Sequence, residues 1–228
     1  QKLKIFVIYI QIKINLKLIL IVAFLLLFSC GLDVYYFVEP PFNSSVIVNP
    51  SDPGEQYFSF TSADANNKEF QAGGNFKFLG TDVYYKIYSN LSTLQSQRNS
   101  IDSSNTEYTE NGINKLNNLG FQKIISSNYS DPLLKNTDSN QSVSIRLITS
   151  NPFNAEILVN GSSKGIPLRY NGESFEIPVG TILQGLDVNT TNLDESSPSY
   201  YVLLYAVCVG SLYFSQRFFS FFCSFVYF

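Results

Sequence analysis

Gly161-Ser162-Ser163-Lys164-Gly165 has the G-x-S-x-G spacing of a nucleophile elbow, where a serine on a tight strand-to-helix turn attacks an acyl carbon. That chemistry needs a base to take the serine proton, ordinarily a histidine. The chain has no His, Asn160-Gly161 is a hairpin-type turn, and Pro167 follows where a helix would have to begin. The pentapeptide therefore reads as a hairpin loop. Lack of His also removes Cys-His catalysis, His-ligated zinc or iron, and imidazole-based pH sensing. Asp187, Asn189, Asn192, Asp194 and Glu195 gather oxygen ligands in one loop; Asp64, Asn66 and Glu69 do so in another. Neither keeps the spacing of a calcium loop, so both read as solvated acidic turns and no metal or cofactor is expected. Acids are plentiful enough for carboxylate-pair hydrolysis, yet nothing in the spacing selects a pair. No catalytic residue is assigned, and the expectation is a protein that is not an enzyme.

Tyr84, Lys86 and Tyr88 are the remaining candidates. They alternate along Thr81 to Tyr88 (TDVYYKIY), which puts them with Asp82 on one strand face, opposite Val83, Tyr85 and Ile87. A tyrosine-rich sheet face can take a glycan or a protein partner. The competing arrangement, in which a helix or loop packs over the face, is the expected one; the ligand role is kept as the weaker alternative.

Twenty Phe and 15 Tyr set against 14% charged residues make the chain too apolar for disorder and call for an aromatic core. Strands are read at Leu32–Val38, Val46–Val48, Tyr57–Thr61, Phe76–Phe78 and Thr81–Tyr88. Further strands are read at Phe121–Ile125, Ser142–Ile148, Ala155–Val159, Ile166–Tyr170 and Phe175–Ile177, with Tyr200–Val209 apolar on both faces as a central strand would be. One helix is read in the polar stretch before Gly120, where Ser104 and Glu107 have capping-box spacing and Ile113, Leu116 and Leu119 are apolar. About ten short strands and one helix predict a mainly β fold, an antiparallel β-sandwich with a helix-bearing insertion at about 89–140. TDVYYKIY and YYVLLYAV look like the central strands of an immunoglobulin or fibronectin type III sheet.

The first 29 residues hold Lys2, Lys4, Lys13 and Lys17 and no acid, so the remainder carries a net −7. An acidic domain is a poor nucleic-acid binder, since phosphate contacts need clustered Lys and Arg. Leu18 to Phe28 is an unbroken apolar run behind the basic residues, the arrangement of a helical signal peptide. A transmembrane anchor of ~20 residues is reached only by burying Lys13, Asn15 and Lys17.

Leu27-Phe28-Ser29-Cys30-Gly31 resembles the lipobox of bacterial lipoproteins, with Phe28 a departure that the looser spirochaete form accepts. The resemblance implies cleavage between Ser29 and Cys30 and diacylglyceryl attachment at the Cys30 thiol. Such a protein is exported and held by its acyl chains to the cell envelope, at the outer membrane or the periplasmic face. The order FSC-G, YYFVEPP, YFSFTSAD, GTDVYYKIYSN and YYVLLYAVCVG resembles treponeme-type lipoproteins of unassigned activity. That likeness implies a surface or periplasmic β-sandwich and carries no catalytic residues. The expected organisation is a signal peptide at 1–29, a lipid-anchored sandwich at 30–210 and an aromatic tail at 211–228. The function expected is structural or adhesive; the alternative is a binding module for a glycan, metal or protein ligand.

Two features concern the chain ends. The sequence contains no Met, so a truncated or mis-assigned start is expected at Gln1. From Ser211 the sequence becomes SLYFSQRFFSFFCSFVYF, the composition of an AT-rich gene read out of frame, and no proper final strand is expected there. A disulfide between Cys208 and Cys223 is permitted by an exported location but not demanded.

Overall fold

The computed structural model describes residues 41–47, 56–65, 76–103, 111–178, 180–194, 199–212, 215–219 and 222–226, all within one compact unit, Tyr36–Phe228. The signal peptide, Ser29, Cys30 and the Leu32–Val38 segment lie outside the described residues, as do Asn66, Glu69, Ser104, Glu107 and Glu195. Among the described residues the fold is mainly β, with two large sheets, a small two-stranded one and two α-helices.

The first sheet runs, in spatial order, through β1 (Phe42–Ile47), β2 (Tyr57–Thr61), β7 (Ser142–Arg146), β8 (Glu156–Val159) and β9 (Ser162–Ser163), each antiparallel to its neighbour. The second is built on the two longest strands, β3 (Phe76–Tyr88) and β12 (Tyr201–Leu212), antiparallel from Tyr201 opposite Tyr88 to Leu212 opposite Phe76. The two short strands expected at Phe76–Phe78 and Thr81–Tyr88 are thus one. They join through Gly80 at φ 151°, where the register with β12 slips by one residue.

The outer edge of β3 is covered piecewise by three two-residue strands. β6 (Leu134–Lys135) pairs at Gly80–Thr81, β4 (Gln122–Lys123) at Tyr84–Tyr85, and β11 (Val188–Asn189) at Ile87–Tyr88, the last in parallel. The second sheet is therefore mixed rather than purely antiparallel. A side chain at Gly80 would run into the Leu134 backbone carbonyl and lie 2.7 Å from Pro132 Cγ. Gly80→Ala should destabilise the protein by about 3 kcal/mol, combining positive-φ strain with displacement of β6. An unaltered thermal midpoint for that variant would show that β6 does not press on β3.

Alternation along the strands separates two cores. Val83, Tyr85 and Ile87 from β3, with Leu204 and Ala206 from β12, meet Phe58, Phe60, Val143, Ile145, Ile157 and Val159 of the first sheet. The opposite face of the same two strands, Tyr84, Tyr88, Leu203, Tyr205 and Val207, meets α1 (Leu91–Asp102) and α2 (Asn111–Asn118). This unit is layered sheet, sheet, helix. α1 was not expected from the sequence: its residues are polar but for three, with Leu94 and Ile101 buried seven residues apart on one face. Its start is fixed by Asn90, whose side-chain oxygen accepts from the Thr93 backbone N–H at 3.0 Å. α2 sits where the single helix was expected and buries Leu116.

Two other expectations are corrected. Phe175–Ile177 is not a strand; only Ser174 makes an isolated bridge, to Leu168 of β10 (Pro167–Leu168), which itself pairs with β5 (Ile125–Ser126). The tail does contribute strands, against expectation. β13 (Ser215–Phe219) and β14 (Phe222–Val226) pair antiparallel with β12, the latter from Leu203 opposite Val226 to Val207 opposite Phe222. The reason is physical: the free edge of β12 offers backbone donors and acceptors, and Phe- and Tyr-rich sequence suits extended chain whether or not it alternates.

Candidate functional site

Tyr84, Lys86 and Tyr88 lie beneath the helices, all three buried. The Tyr88 hydroxyl donates to Gln97 Oε1 of α1 at 2.8 Å, and the Lys86 ammonium donates to the Leu119 carbonyl just past α2. Lys86 therefore serves the unsatisfied carbonyl end of a helix, where a cation is favoured. Burial lowers its pKa, and burial pushes the Tyr84 phenol up to about 12. The covered arrangement is the one present, and this face offers no open platform to a glycan.

Asn160 and Gly161, both at positive φ, turn the β8–β9 hairpin; Gly161, Ser162 and Ser163 are exposed, Lys164 is half-buried and Gly165 is buried. Lys164 donates to Asp138 Oδ1 at 2.7 Å, so its ammonium is engaged away from the serines. The acidic loop does not converge either. The Asn189 side chain accepts from the Thr191 N–H at 3.0 Å, Asn192 is exposed, and Asp187 is fully buried elsewhere. Among the described residues no cluster of three potential metal ligands occurs, and no helix is long and apolar enough to cross a membrane. Cys208 is a free, buried thiol whose pKa burial raises, a state that disfavours the reactive thiolate.

Sequence reasoning missed a dense, buried polar cluster among the described residues. Arg169, just after β10, grips Asp187 with two bonds, Nε to Oδ2 at 2.8 Å and Nη2 to Oδ1 at 2.7 Å, both side chains essentially out of solvent. Tyr85 donates its hydroxyl to Asp187 Oδ2 at 2.7 Å and accepts from the Tyr170 N–H at 3.0 Å. Arg169 Nη2 also donates to the Gln184 carbonyl at 3.0 Å, and Nη1 to the exposed Glu173 at 2.9 Å. Hydrogen bonding to Asp187, against the opposing effect of burial, raises the Arg169 pKa; burial first, then the bond to Asp187, raises that of Tyr85. Gly185 completes the cluster: any side chain there would collide with Asp187 Oδ1 and Arg169 Nη2. The signal in the sequence was faint. Arg169 stands between Leu168 and Tyr170, and Asp187 between Leu186 and Val188, two lone opposite charges in apolar brackets.

These bonds hold the chain from Arg169 to Asp187 against β3, and that chain supplies one wall of a half-open cavity of about 270 Å³ between the sheets. Its floor is Phe58, Ile87, Leu147 and Phe175, and its rim includes Gln56 and Tyr200. None of its lining side chains is charged. Phe175 is fixed by an edge contact with Tyr85, ring centroids 4.8 Å apart. No protein-family model, curated protein or solved structure matches the chain.

Proposed function

We propose that the chain is a non-enzymatic lipoprotein of a bacterial cell envelope, anchored by acyl chains on Cys30, with a structural or adhesive role. The observation that carries the reading is the sequence Leu27 to Gly31, placed at the end of the Leu18–Phe28 apolar run behind four lysines. Two or three acyl chains, at ~0.8 kcal/mol per buried methylene, give the stable membrane attachment that one chain does not. The domain behind the anchor is a β-sandwich of the immunoglobulin or fibronectin type III kind, a reading supported by two sheets sharing one core. Export to the outer membrane or periplasmic face belongs to the same reading, as does kinship with treponeme-type lipoproteins.

Cys30→Ala should abolish palmitate incorporation and leave unprocessed precursor. Normal labelled, membrane-bound product from that variant would refute the lipid anchor. A second reading, an envelope binding module, is favoured by the cavity between the sheets. Its apolar lining suits an uncharged partner better than a metal ion.

A further inference from the structure

The cavity between the sheets has the size, chemistry and rigidity of a ligand site. A cavity of ~150 Å³ lined by Leu, Ile and Phe stays dry and accepts benzene. At about 270 Å³ this one has room for two fused rings. It lies between facing sheets, which pack about 10 Å apart, so its height favours a flat occupant. Phe58 and Phe175 supply aromatic surface, and no charged lining residue could compensate an ion stripped of water. Tyr200 lines the rim. The Tyr200 hydroxyl accepts from the Leu183 N–H at 2.8 Å, a bond that leaves its own hydrogen free to give away. The wall is pre-organised as well, because Phe175 rests on Tyr85 and Tyr85 is held by Asp187.

We propose that this cavity binds a small, neutral, flat molecule of about two fused rings bearing one hydrogen-bond acceptor, which receives the Tyr200 hydroxyl proton at the rim. The inference rests on the binding-module reading and not on the lipid anchor, so Cys30 processing can fail or succeed without bearing on it.

The test uses the full chain in lipid nanodiscs, carbon-13 labelled at Ile, Leu and Val methyls, titrated with 2-acetylnaphthalene or 2-ethylnaphthalene at matched free concentrations. The ketone should give saturable shifts at Ile87, Leu147, Ile148, Ile177 and Val202, and bind at least fivefold more tightly than the ethyl compound. Ile148→Trp, which fills the cavity from its partly buried edge, should weaken ketone binding at least tenfold while the remaining methyl spectrum is kept. Tyr200→Phe should erase the ketone's advantage; if that variant unfolds, the wild-type comparison of the two compounds decides. Absence of saturable shifts at these methyls, equal affinity for the two compounds, or unweakened binding by folded Ile148→Trp would each overturn the proposal.

Discussion

Asp187→Ala should cost about 3–5 kcal/mol of folding stability, because it strands the Arg169 guanidinium in the interior without its counter-ion. Tyr85 loses its acceptor in the same step. Glu173 cannot make good the loss, since its side chain is 63% exposed and an exposed pair is worth little. The ion pair need not itself be a net source of stability: a double replacement, Arg169→Met with Asp187→Leu, should recover most of the deficit, as apolar substitutes of similar volume often do. Urea denaturation of the full chain measures both. A single-variant cost under about 1 kcal/mol would mean that water reaches the pair, and a double variant no better than the single would mean that the bonds position the segment in a way packing cannot replace.

Alkaline solution should unfold the protein cooperatively between about pH 10 and 12. Burial raises the phenol pKa of Tyr84, Tyr85, Tyr88 and Tyr205 above the ordinary 10.0, Tyr84 to about 12. In the unfolded chain these phenols lose their protons from about pH 10, whereas the folded state holds them. The unfolded state is thereby favoured as pH rises through that window. At 1.36 kcal/mol per unit, Tyr84 alone forfeits about 2 kcal/mol by pH 12. The other three act in the same direction, which together exceeds the lower end of the ~5–15 kcal/mol margin of a folded domain. Lys86 has the opposite sign: burial lowers its pKa, so the native state sheds that proton first and gains stability as pH climbs toward 10.5. One lysine does not offset four tyrosines. The part of the tyrosinate absorbance contributed by these four phenols should appear in step with the loss of β signal in far-ultraviolet circular dichroism. Gradual ionisation of all phenols with the fold intact would contradict the burial described.

The long strands were legible in the sequence because their residues have a period. Tyr57–Thr61 is found as expected, and the two faces of Thr81–Tyr88 divide between the two cores as alternation requires. What had no period was not legible. A helix with two buried residues, Leu94 and Ile101, leaves almost no hydrophobic stripe. Strands of two residues, such as β4, β6, β10 and β11, are too short to alternate and exist only because β3 or β5 offers them a partner. The tail was misjudged for a related reason, since its side-chain pattern is poor while its backbone still finds the edge of β12. The Arg169–Asp187–Tyr85 cluster joins residues 18 and 102 positions apart, a geometry that only the folded sheet reveals. Tyr84, Lys86 and Tyr88 were correctly placed on one face, but only the helices above them show what that face meets.

The pairing of β3 with β12 bears on how the chain is made. Tyr88 meets Tyr201, so the central strand of the sheet acquires its main partner only after more than a hundred further residues have been synthesised. Until then β3 is a strand whose two faces are both destined for the interior, with only two-residue segments to lay against one edge. Loop closure over such a separation is slow, and an apolar strand left waiting is a template for pairing with other chains. Chains ending before Tyr201 should therefore aggregate more readily than the full chain, and addition of the last strands should end that tendency.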